Sequence, residues 1–195
     1  MAVNTITGTT GNDLLQGQQL SGTQNQINGL AGNDTLLAAT VADSLNGGAG
    51  DDSLSYGTGL TVNGAAAVGG GGNDSFFAVG TTLLSSSYSG ESGNDLFNFT
   101  AATNISSVSV RGGEGGDTVA FVGGGATLNG LVATMGQGND FINFTGSTFV
   151  SGAVYGGQEN DTIQFSNSLN STTIGGNEGA DRIQIGTATL INSVI

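Results

Sequence analysis

The chain contains no cysteine, no histidine and no lysine. Without cysteine there is no disulfide framework, and without cysteine or histidine there is no zinc site of the usual kind. Ser-His-Asp and Cys-His catalysis are excluded, as are a lysine Schiff base and a P-loop lysine. Basic charge is almost missing: two arginines stand against 15 acidic residues, a formal charge of −13. Such a polyanion does not hold nucleic acid by counterion release. No apolar run is long enough to span a membrane. Met1-Ala2-Val3-Asn4-Thr5 has no basic region and no apolar stretch behind it, so no Sec-type signal peptide is expected. The missing cysteines fit an extracellular chain and a cytosolic one equally.

What is present is glycine, 37 residues of 195, and a set of carboxylates. Leu, Ile, Val and Phe make up about a quarter of the chain, enough for a core. Only 9% of residues are charged, so the placement of the acidic ones carries the information. They recur. Asp13, Asp34, Asp52, Asp74, Asp95, Asp117, Asp140, Asp161 and Asp181 follow one another at 18 to 23 residues, on average 21. Each is the sixth position of a nine-residue unit, clearest in Gly69-Gly70-Gly71-Gly72-Asn73-Asp74-Ser75-Phe76-Phe77. The first position is glycine except at Met135, and the fourth is glycine except at Glu159. Such self-similarity marks stacked repeats.

Between the loops the pattern has a period of two, which predicts strands. The eighth position reads Leu15, Leu36, Leu54, Phe76, Phe97, Val119, Ile142, Ile163, Ile183. Two residues later stand Gly17, Ala38, Tyr56, Ala78, Phe99, Phe121, Phe144, Phe165, Ile185. Two residues before each loop stand Ile6, Ile27, Leu45, Ala67, Tyr88, Val110, Ala133, Val154, Ile174. Each repeat reads as strand, loop, strand, variable turn. Two short strands cannot bury their inward side chains alone but can when coils stack. The expected fold is therefore all-β: a parallel β-solenoid of about nine coils, each about 21 residues long, with its loops on one edge. Residues 1–195 are expected to form one domain. At about 4.8 Å per coil the rod would be roughly 43 Å long. The column Phe99, Phe121, Phe144, Phe165 should stack, and Gly17 and Ala38 in the same column predict a looser N-terminal half.

The loops have the makings of cation sites. Glycine lets backbone carbonyls turn inward, and carboxylate with carbonyl oxygens is a ligand set suited to calcium. Stacking would set the nine aspartates about 5 Å apart, where like charges repel unless a divalent ion lies between them. The nine sixth-position aspartates are the candidate ligands. Five more acidic residues, Asp51, Glu91, Glu114, Glu159 and Glu178, sit in the same loops, which leaves Asp43 as the carboxylate outside them.

The unit Gly-Gly-x-Gly-x-Asp-x-apolar-x resembles the repeat of RTX (repeats-in-toxin) proteins, a calcium-binding β-helix motif, from Gly8 to about Ile185. The resemblance implies a β-roll, calcium between adjacent loops, calcium-driven folding and export by type I secretion to the cell exterior. It implies carbonyl ligands from glycines such as Gly11, Gly32, Gly50, Gly72, Gly93, Gly115, Gly138 and Gly179. The chain departs from the family in having one nonapeptide per coil, since the opposite turns at 122–125 and 167–170 lack carboxylates. A single file of up to about eight ions is expected, one per gap. The Met135 and Glu159 loops are the least regular: Glu159 either adds a carboxylate or is a strained replacement for glycine.

Other readings of these residues are weaker. Asp51-Asp52 as a catalytic carboxylate pair lacks any partner group. The run Gly69–Gly72 lacks the lysine and helix of a phosphate cradle. Asn98, Asn104, Asn143 and Asn170 lie in glycosylation sequons that are expected to be incidental. No enzyme is expected. The first functional expectation is a secreted structural protein that stacks head to tail on itself into a filament or surface layer, with an extra calcium site at each junction, because solenoid ends expose strand edges. The alternative is a monomeric adhesin or binding module, with cell-surface glycans as partner. Ice binding is disfavoured by the irregular third-position row from Thr10 to Glu178.

Overall fold

A computed structural model describes residues 2–19, 22–102, 104–123, 125–187 and 189–195. It is a parallel β-solenoid of about nine turns, and among the described residues no helix forms. No helix there is long and apolar enough to cross a membrane. Gly124 of the turn at 122–125 lies outside the described residues.

Every strand pairing is parallel and joins one coil to the next. The strands that enter the loops begin with Ala2–Thr7, Thr23–Ala31 and Ser44–Ala49. Their register aligns the apolar column: Ile6 faces Ile27, Ile27 faces Leu45, and Val154 faces Ile174. The strands that leave the loops, from Leu14–Gln16 to Arg182–Ile185, form a separate nine-stranded sheet. There Leu15 faces Leu36, Phe76 faces Phe97, and Ile163 faces Ile183. Alternation sends one set of side chains inward, so each column becomes a continuous ridge of the core.

The coils are richer than two strands. From Thr61 onward a third short strand follows the variable turn: Thr61–Asn63, Thr82–Leu84, Asn104–Ser106, the opening parts of Thr127–Gln137 and Thr148–Gly157, then Leu169–Asn170 and Leu190–Ile191. Each pairs with its counterpart in the next coil. Val62, Leu83, Ile105, Leu128, Phe149 and Leu169 form a fourth buried column on this face. A three-residue strand has one inward residue, too few for a period of two to show within a coil. Its signal is the 20–23-residue spacing between coils, the same as that of the aspartates.

The aromatic column stacks as the pattern predicts. Ring centroids of Phe99 and Phe121 lie 4.7 Å apart, Phe121 and Phe144 5.3 Å, and Phe144 and Phe165 5.2 Å. Each such pair adds about 0.5–1.5 kcal/mol beyond the area it buries. The first coils are built differently. Asn4 donates to Asn25, and Asn25 donates through its backbone and side-chain nitrogens to Asp43. The backbone N–H groups of Ala39 and Thr40 and the Thr40 hydroxyl also donate to Asp43. Burial pushes the Asp43 carboxyl up, but these donors outweigh it and hold the group below the usual carboxylate range. A buried polar ladder thus fills the space that apolar side chains fill later, and Asp43 lies beside Gly17 where that column has no side chain.

Candidate metal centre

The loop conformation follows from two kinds of glycine. Fourth-position glycines, such as Gly72 and Gly93, have φ of 121° and 122°. A methyl group on Gly93 would also sit 1.9 Å from the carbonyl oxygen of Gly72 in the preceding coil. From Gly32 onward both conformation and space therefore demand glycine, and fourth-position carbonyls such as that of Gly72 point along the rod at the same position of the next loop. Glu159 is the exception. It adopts φ 70°, a left-handed conformation that costs about 1–2 kcal/mol for a side chain with Cβ.

First-position glycines serve another purpose. None of the eight has positive φ. A methyl group on them would fall 1.9 to 2.7 Å from Oδ2 of the aspartate five residues later. The glycine is there to leave room for that oxygen.

The aspartates form one ladder. In all eight steps from Asp13 to Asp181, the backbone N–H of one aspartate donates to Oδ1 of the next, at 2.7 to 3.0 Å. The structure therefore brings all nine predicted aspartates together along one edge. The other oxygen has no such partner. Oδ2 of Asp34, Asp52, Asp74, Asp95, Asp117, Asp140 and Asp161 is buried and accepts no hydrogen bond. It meets another acceptor instead: the point 2.3 Å from Asp34 Oδ2 beside Gly29 is 2.4 Å from the carbonyl oxygen of Gly47. The same pairing joins Asp52 with the Gly69 carbonyl and Asp117 with the Met135 carbonyl.

Two facing acceptors with no donor between them are unfavourable, since a buried unsatisfied acceptor costs about 1–3 kcal/mol and more when charged. A proton or a cation relieves this. Hard oxygen donors of this mixed kind fit a calcium shell. Among the described residues no three acidic side chains cluster, so peptide carbonyls would have to complete it. The carbonyls that meet Oδ2 belong to the first position, whereas the resemblance pointed to the fourth.

Burial dominates the electrostatics. It raises Asp74 to about 7, Asp95 to about 6, Asp117 to about 7 and Asp140 to about 8, against the N–H bond each accepts. Neighbouring carboxylates add to the rise at Asp74, Asp117 and Asp140. Asp52 and Asp161 are also raised, by burial first. At Asp13 the second oxygen is bonded: the Thr9 N–H and hydroxyl donate to its Oδ2 at 2.6 and 2.9 Å.

A family model for the RTX calcium-binding nonapeptide repeat matches residues 2–19 and 28–59, in four copies. These matches and the β-solenoid fit a repeat-only protein of the RTX type. The RTX match ends at residue 59, while the aspartate ladder, with the same bond at each step, continues to Asp181. RTX repeats bind calcium, so this is a calcium-binding repeat protein. No curated protein and no solved structure matches the chain.

A second ladder escaped the sequence reading. Fifth-position side chains reach the opposite way, with the Asn33 N–H donating to Asn12 Oδ1 and the Asn94 N–H to Asn73 Oδ1, both at 2.8 Å. Asp51 takes this role for Asn73. Seven of the eight steps are thus stapled in both directions, by the sixth position of one loop and the fifth of the other; Gly116, without a side chain, leaves the step to Asn139 with the aspartate bond alone. Asparagine at the fifth position of six of the nine loops was the available signal.

Proposed function

We propose that calcium ions lie between successive loops, held by the sixth-position aspartates and loop carbonyls, up to about eight per chain, and that the resulting rod is a secreted structural element. The observation that carries this reading is the row of seven buried Oδ2 atoms without donors, several of them facing carbonyl oxygens. About eight divalent ions would more than offset the −13 charge, and 14 of the 15 carboxylates lie in the loops that would hold them. Calcium titration followed by native mass spectrometry tests it, and a chain that retains no calcium would refute it.

The finer reading is assembly of copies end to end into an extracellular filament or surface layer. It is supported by apolar side chains on the outermost coils: Val3 and Leu14 are 60% and 72% exposed, and Val194 and Ile195 63% and 57%. Unpaired strand edges accompany them and can template further pairing. Electron microscopy of residues 1–195 with calcium and with chelator tests this. Dispersed monomers at millimolar calcium would argue for the monomeric binding module instead.

A further inference from the structure

The nine loops obey one motif with two departures at the first and fourth positions, and both fall in the same gap. Met135 opens the seventh loop, and Glu159 stands in the eighth. At the other eight first positions glycine leaves a cradle, and a methyl group there would lie within 2.7 Å of the aspartate Oδ2. At Met135 the first position carries a full side chain, while Asp140 Oδ2 is buried without a donor as in six other loops. Met135 is 1% exposed and belongs to the hydrophobic core. Strand alternation directs it inward with Leu131 and Ala133. The gap below is unaffected, because the Met135 carbonyl still meets the Gly112 cradle.

The outer side of the same gap has changed as well. In the five gaps from Gly32 to Gly115, the fourth-position N–H donates to the third-position carbonyl of the next coil, as from Gly72 to Ser92 at 2.9 Å and from Gly115 to Gln137 at 2.9 Å. Gly138 breaks this series. Its N–H donates to Glu159 Oε2 at 2.5 Å. Glu159 makes this bond from a left-handed backbone conformation, so a strained residue supplies a contact that the backbone makes elsewhere.

We propose that the gap between the seventh and eighth loops takes no calcium and is closed by protein alone, with Met135 in place of the cradle glycine and Glu159 clasping Gly138. The ion file is then interrupted between Asp140 and Asp161, and the last two loops are joined to the rest by a metal-independent clasp. This rests on the proposal that the other gaps hold calcium.

Native mass spectrometry of calcium-loaded wild type, Met135→Gly and Met135→Gly/Glu159→Gly tests the proposal, with circular dichroism to confirm that each variant folds in calcium. The expected result is one more ion in the double variant than in the wild type. Equal ion counts would overturn the inference while leaving the calcium reading intact. A wild type without any calcium would remove both. If the variants do not fold, a crystal structure of the wild type grown in calcium decides: an ion refined between Asp140 and Asp161 overturns the proposal, and its absence there with ions in other gaps upholds it.

Discussion

Acid should partly replace calcium in holding this fold. Asp74, Asp95, Asp117 and Asp140 are raised to about 7, 6, 7 and 8 by burial, against about 3.9 in an unfolded chain. Between those limits the folded state binds more protons than the unfolded one, so its stability falls as pH rises. The penalty is absent near pH 4 and complete above about pH 8. At about 1.4 kcal/mol per pH unit, and discounted for solvent screening at the loop edge, the four groups together cost on the order of 10 kcal/mol when all are ionised without metal. That is comparable to the roughly 5–15 kcal/mol that holds a domain together. The metal-free chain at pH 8 is therefore expected to lose its β signal in circular dichroism. Lowering the pH to about 5.5 in chelator should recover much of that signal, and at pH 8 calcium should restore it. The calcium midpoint should move to higher concentration as the pH drops below 7, since each ion must displace protons. A chelated chain equally folded at pH 8 and 5.5, or better folded at pH 8, would refute the reasoning.

Other substitutions separate the roles of neighbouring residues. Gly69→Ala places a methyl 2.1 Å from Asp74 Oδ2 and should remove one ion per chain by native mass spectrometry. Gly71→Ala, whose methyl would meet nothing closer than Ser92 Oγ at 3.6 Å, should leave the count unchanged. Phe121→Ala removes a ring stacked on both sides and should cost about 3–5 kcal/mol in thermal unfolding with calcium present. Asp43→Ala leaves the Asn25, Ala39 and Thr40 donors without their acceptor; calorimetry should show a loss of about 3–5 kcal/mol, with the calcium count unchanged.

Much of this architecture was legible because a solenoid converts sequence period into spatial column. Ile27, Leu45 and Leu36 stand in the paired register that the spacing predicts. Residues that fill no repeating column, or fill one only briefly, were not legible. The third face rests on single residues such as Leu83 and Ile105. Asp43 stood out in the sequence only as the carboxylate outside the loops, yet it is buried among five donor groups. Its partners Asn25 and Thr40 share no motif with it.

The sequence by itself determined the coil length, the inward columns and the edge on which the carboxylates gather, since each depends on period alone. Only the tertiary structure decided what each carboxylate oxygen does. Whether an oxygen is satisfied depends on the coil above or below. Oδ1 of Asp95 takes the Asp74 N–H, while its Oδ2 lies in the cradle of Gly90 near the Gly112 carbonyl. The division of one side chain into a bonded oxygen and a donorless one arises from stacking at the coil spacing, and that division is what opens the row to a cation.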